Sequence, residues 1–217
     1  MNRNFKITYL LGVCVCSIAL YYNQILFCHF LRIFLAILLL INYLLVKPNE
    51  NKIILLLLSL STLLSCLPFI FLKPFDLNPN NLFYLFFLGV HLCYISIFKI
   101  EKANAASFKK KKYMPILIGI GFVFLFIINN YVNDFAFFAL LLSTFVEVTM
   151  FWLAFSRRVK TVSYRLSCWA MVLFALSNIS FLVEFFASFG LMIIAVNLFY
   201  VVAQFLLIEA FLVNQVE

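Results

Sequence analysis

The sequence predicts an all-α fold: a polytopic membrane bundle of about eight transmembrane helices, with both termini cytoplasmic and residues 1–217 forming a single integral membrane domain. Three observations carry that expectation. The chain is 66% hydrophobic and only 11% charged, with mean hydropathy +1.12, which is more apolar surface than a soluble domain of 217 residues can hide. Its apolar runs repeatedly approach the ~20 residues that cross a bilayer as a helix. Its basic residues fall in alternate connections, and with a cytoplasmic N-terminus the inside segments hold 14 of the 16 Lys and Arg. That asymmetry is the positive-inside pattern.

The predicted spans are 6–22, 25–46, 53–72, 82–98, 114–129, 135–155, 166–186 and 190–213. The first follows a basic "NRNFK" and resembles a leader, but "CSIALYYNQ" offers no small-x-small cleavage site, so it reads as a span. The second carries His29 and, about 10–12 Å below the outer boundary at ~1.5 Å per residue, Arg32. From that depth an arginine reaches for a partner or snorkels outward. The third ends in "LLSCLPFIF", where Pro68 is placed to kink it. The fourth contains His91 and Tyr94 one turn apart, and the fifth is short. The sixth holds Glu147 near mid-membrane, where an ionised carboxylate needs a partner. The seventh carries Ser177-Asn178 at its middle and Glu184 near its outer end. The last carries Asn197, Tyr200 and Gln204 at i, i+3 and i+7, which is one helical face, with Glu209 near its inner end.

Connections are short, so sequential helices are expected to pack as antiparallel neighbours. The longest, about 99–113, divides the chain into two groups of four spans. The run Lys109–Lys112 reads as a topology signal and an attraction to anionic headgroups rather than a nucleic-acid patch. The six cysteines lie inside predicted spans without zinc-type spacing, and most read as apolar filler. Glu184 and Glu209 read as interfacial. Ser59, Thr62 and Cys66 share a face of the third span, and such polar residues are expected to bond between helices. By residue counting Arg32, Cys66, His91 and Asn178 all lie in the middle to outer half, which suggests convergence on one polar cavity. No serine nucleophile elbow, HExxH or Walker sequence is present, so the common hydrolase classes lack support, and neither a cofactor nor a metal is expected.

Taken in order, these segments resemble the YhhN/TMEM86 family of eight-helix membrane proteins, which includes lysoplasmalogenases. "HFLRIFLAILLL" looks like the family's Lys-Pro-Leu-type entry to the second span, with Arg32 in place of the lysine. "TLLSCLPFI" offers Thr62, Ser65 and Cys66 for a small-x-x-Gly-Asp segment. "FLGVHLCYISIF" matches a Gly-x-x-x-Phe-x-x-x-His-x-x-Tyr-type segment through His91 and Tyr94, and "VLFALSNISFL" looks like an LLFxxSD segment through Ser177 and Asn178. "FYVVAQFLLIEAFL" resembles a YYxAQxLI ending through Tyr200 and Gln204. Two membrane aspartates of the family appear here as Cys66 and Asn178.

The resemblance implies hydrolysis of the vinyl ether bond of lysoplasmalogens to a fatty aldehyde and a glycerophospho-base. It places His91, Asn178 and Cys66 at the reacting centre and Arg32, Tyr94, Tyr200 and Gln204 on the substrate. Arg32 suits the phosphate, which a guanidinium grips bidentately. Proton delivery to the vinyl carbon needs a general acid. Without the two aspartates that acid is His91 or Glu147. The implied partners are a lysophospholipid or another amphiphile and the surrounding membrane lipids, in a bacterial cytoplasmic membrane, with no nucleic acid. The alternative is a non-catalytic relative that binds or transports a lysolipid.

Overall fold

The computed structural model describes residues 2–22, 24–47, 52–71, 79–100, 134–157, 159–187 and 191–214. The predicted fifth span, 114–129, and the Lys109–Lys112 run lie outside them. The described residues form seven helices: α1 Arg3–Tyr21, α2 Ile25–Val46, α3 Lys52–Phe71, α4 Pro79–Ile100, α5 Asp134–Ser156, α6 Thr161–Ala187 and α7 Met192–Asn214. Four of them contain stretches long and apolar enough to cross a membrane: Arg3–Tyr21, Leu26–Val46, Thr161–Phe181 and Met192–Val213. The chain is an integral membrane protein. Large apolar side chains such as Leu11, Phe30, Phe34, Leu45 and Trp169 point outward, an arrangement that lipid solvates and water does not.

Helix ends explain most departures from the predicted boundaries. Asn2 accepts from the backbone N–H of Asn4 at 3.2 Å, so α1 starts at Arg3 rather than at residue 6. The α1–α2 turn is tight, with Tyr22 N–H donating to the Ile18 carbonyl at 3.1 Å and Gln24 N–H to that of Ala19 at 2.8 Å. The α6 helix begins five residues before the predicted span, because Tyr164 N–H already donates to the Lys160 carbonyl at 2.9 Å. The backbone of α3 stays helical through Pro68 to Phe71.

The helices form two compact units, Met1–Glu50 with Val159–Glu217, and Asn51–Arg158. This differs from the expected division at 99–113: the N-terminal hairpin belongs with the last two helices. In the first unit α7 packs against α1, α2 and α6. Its buried Ala203 and Ala210 allow close approach. Tyr9 of α1 stacks on Phe205 of α7 at 5.0 Å, and Ser163 of α6 donates to the Ala210 carbonyl at 2.7 Å. Lys6 of α1 pairs with Glu209 of α7, and Lys47 at the end of α2 donates to the Phe211 carbonyl at 2.9 Å. Glu209 is therefore not a solvated interfacial carboxylate. It is buried, and an ion pair satisfies it.

In the second unit α4 packs between α3 and α5. A Cβ on Gly89 would lie 2.8 Å from Leu64 Cδ1, so the Leu64 side chain packs directly onto the α4 backbone at that level. The polar stripe of α3 behaves differently from expectation. Ser59 donates to the Leu55 carbonyl at 2.8 Å and Thr62 to that of Leu58 at 2.9 Å, both within their own helix. Such back-bonding satisfies a hydroxyl in lipid without a neighbouring helix.

Two of the six cysteines are also more than filler. Cys16 of α1 and Cys28 of α2 form a disulfide, with their Cα atoms 5.0 Å apart. Around it Ala19 and Leu20 complete a buried cluster against which Leu31 and Ile194 pack. Among the described residues Cys14, Cys66, Cys93 and Cys168 take no part in a disulfide.

Candidate functional site

Among the described residues each unit places predicted site residues in a polar group inside its apolar helices. In the first unit, α2 supplies Arg32 and one face of α7 supplies Asn197, Tyr200 and Gln204. The Arg32 Nε–H donates to Asn197 Oδ1, so the arginine is tied to α7 rather than snorkelling outward alone. Asn197 is 1% exposed, and its Nδ2 lies 3.4 Å from Cys16 Sγ. One amide thus joins the guanidinium of α2 to the disulfide at the α1–α2 turn. The Tyr200 phenol is an electrostatic neighbour of the guanidinium. It accepts from Gln204 Nε2 at 3.0 Å, and its ring meets Phe174 of α6 edge-on at 5.5 Å. These contacts fix the phenol.

Ser177 is buried and donates to the Val196 carbonyl at 3.0 Å, which holds the middle of α6 against the first turns of α7. Asn178 follows it and is half-buried.

In the second unit, α4 supplies His91 and Tyr94, which are 2% and 1% exposed. Glu147 of α5 places Oε1 3.9 Å from His91 Nδ1. That is longer than a hydrogen bond and within reach of charge pairing. Cys66 of α3 is buried beside Ser65, their Sγ and Oγ 3.9 Å apart, and Ser65 donates to the Thr62 carbonyl at 2.8 Å. The Gly89–Leu64 approach fixes α3 against α4 next to both Cys66 and His91 in sequence.

The structure therefore brings Arg32 together with Tyr200 and, through Tyr200, with Gln204. It brings His91 together with Glu147. Arg32 and Asn178 belong to the first unit, and Cys66 and His91 to the second. Residue counting missed Asn197 as the partner of Arg32, although Asn197 begins the polar face of α7. It also missed the disulfide. A signal was present: Cys16 and Cys28 stand six residues either side of Tyr22, the register at which two antiparallel helices meet. The Lys6–Glu209 pair joins helices too distant in sequence for any spacing rule to connect.

Chemically, the first group is a cation fixed among neutral donors and acceptors, which suits an anionic headgroup. The second is a carboxyl beside an imidazole, which suits holding and moving a proton. A family model described as the YhhN family matches residues 27–211. Neither the curated proteins nor the solved structures contain a match to the chain.

Proposed function

The chain belongs to the YhhN family, and we propose on that footing that it is a lysoplasmalogenase-like hydrolase, cleaving the vinyl ether bond of lysoplasmalogens to a fatty aldehyde and a glycerophospho-base. The observation that carries this reading is the Arg32 group. A guanidinium inside a membrane span is costly unless it serves a ligand or a fixed partner. Here Asn197 orients it, and Tyr200 with Gln204 adds hydrogen-bonding capacity on the same face. Such a group offers a phosphate a cation and neutral donors, while the substrate's hydrocarbon chain stays among apolar helices.

Protonation of the vinyl carbon followed by water addition requires one acid and one water, and no cofactor. His91, with Tyr94 on the same helix, belongs to the segment that the family resemblance assigns to the reacting centre. Purified protein given lysoplasmenylethanolamine should release aldehyde, and Arg32→Gln should weaken its use of that substrate.

One observation favours a second reading. Where the resemblance places two aspartates the chain has Cys66 and Asn178, and neither a buried thiol beside Ser65 nor an amide supplies a carboxylic acid. A protein that kept the headgroup group and lost turnover would be a lysolipid-binding or lipid-transporting relative. It would bind lysoplasmenylethanolamine without releasing aldehyde, and Cys66→Asp would be the variant most apt to restore release.

A further inference from the structure

Resting on the lysoplasmalogenase reading, we infer that Glu147 is the proton donor to the vinyl ether and that His91 is the positioning residue behind it. The resemblance points to His91, and the geometry points past it. Glu147 Oε1 lies 3.9 Å from His91 Nδ1, while the two side chains are 21% and 3% exposed. The carboxyl keeps part of its surface open while the imidazole is almost wholly covered, so the carboxyl is the more accessible of the two. The separation leaves room for a small rotation or one bridging water to pass a proton between them.

Glu147 also lies far from both ends of α5, which runs Asp134–Ser156. At ~1.5 Å per residue it sits about 20 Å from one end and about 14 Å from the other, too deep for an interfacial role. The other titratable side chains on the helices packed here are Cys66 and Lys52 on α3, Tyr84, Cys93, Tyr94 and Lys99 on α4, and Asp134 on α5. Lys52, Lys99 and Asp134 stand near helix ends, and Arg157, just past α5, lies over the Phe98 ring of α4. Among the described residues His91 is the basic side chain that pairs with Glu147.

The reaction balances with these groups and one water. The Glu147 carboxyl gives its proton to the vinyl carbon remote from the ether oxygen, and the C=C π pair forms the new C–H bond. An oxygen lone pair closes the C=O⁺ bond of the oxocarbenium ion. Water adds to the carbon bearing that oxygen, and its surplus proton returns to the Glu147 carboxylate, which His91 holds in place. The hemiacetal C–O bond then breaks, its hydroxyl proton passing to the departing glycerol oxygen as the aldehyde forms. Nothing is oxidised or reduced.

The test uses the full chain in nanodiscs, with Glu147→Gln, Glu147→Asp and His91→Gln beside the native protein. Two readouts run together across pH: aldehyde release, and labelling of Glu147 by a hydrophobic carbodiimide, located by mass spectrometry. Such reagents modify protonated carboxyls in apolar surroundings. Glu147→Gln should lower release by about 100-fold or more, and Glu147→Asp should retain part of it. His91→Gln should move the pH midpoints of release and of labelling by about half a unit or more. Native-like release from monodisperse Glu147→Gln would overturn the donor assignment while leaving the lysolipid reading standing. A His91→Gln protein that is merely less stable, with both midpoints unmoved, would overturn the positioning role. No aldehyde from the native protein removes the reading and the donor role together. In that case pH-dependent labelling that responds to His91 still supports the pair, and labelling indifferent to both overturns it.

Discussion

Arg32 shows what a single side chain contributes in this membrane setting. Its Nε–H is engaged by Asn197, so the guanidinium plane is fixed by a neighbouring helix rather than by water at the interface. Charge-assisted hydrogen bonds of this kind are worth about 1.5–3 kcal/mol, so Arg32→Gln should weaken lysolipid binding by about 10–100-fold. Arg32→Lys should recover only part of the loss, because an ammonium lacks the bidentate fork. Equilibrium binding of a fluorescent lysophospholipid in nanodiscs measures both. Release by any residual activity should keep its pH profile in Arg32→Gln, since the arginine carries no proton in the reaction. The sequence showed Arg32, His91 and Glu147 as ionisable residues where lipid was expected, because cost alone marks them. It did not show their partners. Asn197 lies 165 residues from Arg32, and Glu147 lies on a helix whose rotation against α4 no local pattern determines.

Among the described helices, the α1–α2 hairpin is held by covalent and ionic ties at both ends. The Cys16–Cys28 disulfide ties it near its turn, and Lys6 and Lys47 tie its other end to α7. The native protein should therefore weigh two hydrogens less than its reduced form by intact mass. Cys28→Ser should cost about 2–4 kcal/mol, read as an earlier thermal transition in the same nanodiscs. The α3–α4 pair depends instead on a missing side chain. Gly89→Ala should be well tolerated, since the nearest atom is the mobile Cδ1 of Leu64. Gly89→Leu should separate the helices and cost roughly 1–3 kcal/mol by overpacking. Hydropathy located these elements well: α2 coincides with the predicted 25–46, and α3 and α5 agree to within a residue at each end. The α4 and α6 helices start earlier than predicted, because the backbone is already helical through the residues that precede each predicted span, Pro79–Asn81 and Thr161–Arg165. Hydropathy said little about packing faces, since a span apolar all round has no stripe to read.

At the scale of the whole molecule, composition alone established a membrane protein, and the family match over residues 27–211 agrees with motifs readable in order along the chain. The grouping of helices was less legible. The longest connection suggested a split into halves, whereas α7 gathers α1, α2 and α6 around its small and polar positions. Connection length limits which helices can be neighbours, and side-chain fit chooses among them. The basic connections predict that both chain ends lie in the cytoplasm. A reporter protein that fluoresces only in that compartment should be bright when fused after Glu217, and dark if the orientation is reversed. The Cys16–Cys28 end of the hairpin would then face the oxidising side, where disulfides persist. The most direct measurement is aldehyde release from lysoplasmenylethanolamine by the purified chain in nanodiscs. A lysoplasmalogenase releases aldehyde and glycerophosphoethanolamine in equal amounts, and Glu147→Gln and Arg32→Gln each reduce that release. Tight binding of the lipid with no aldehyde across pH would contradict a hydrolase.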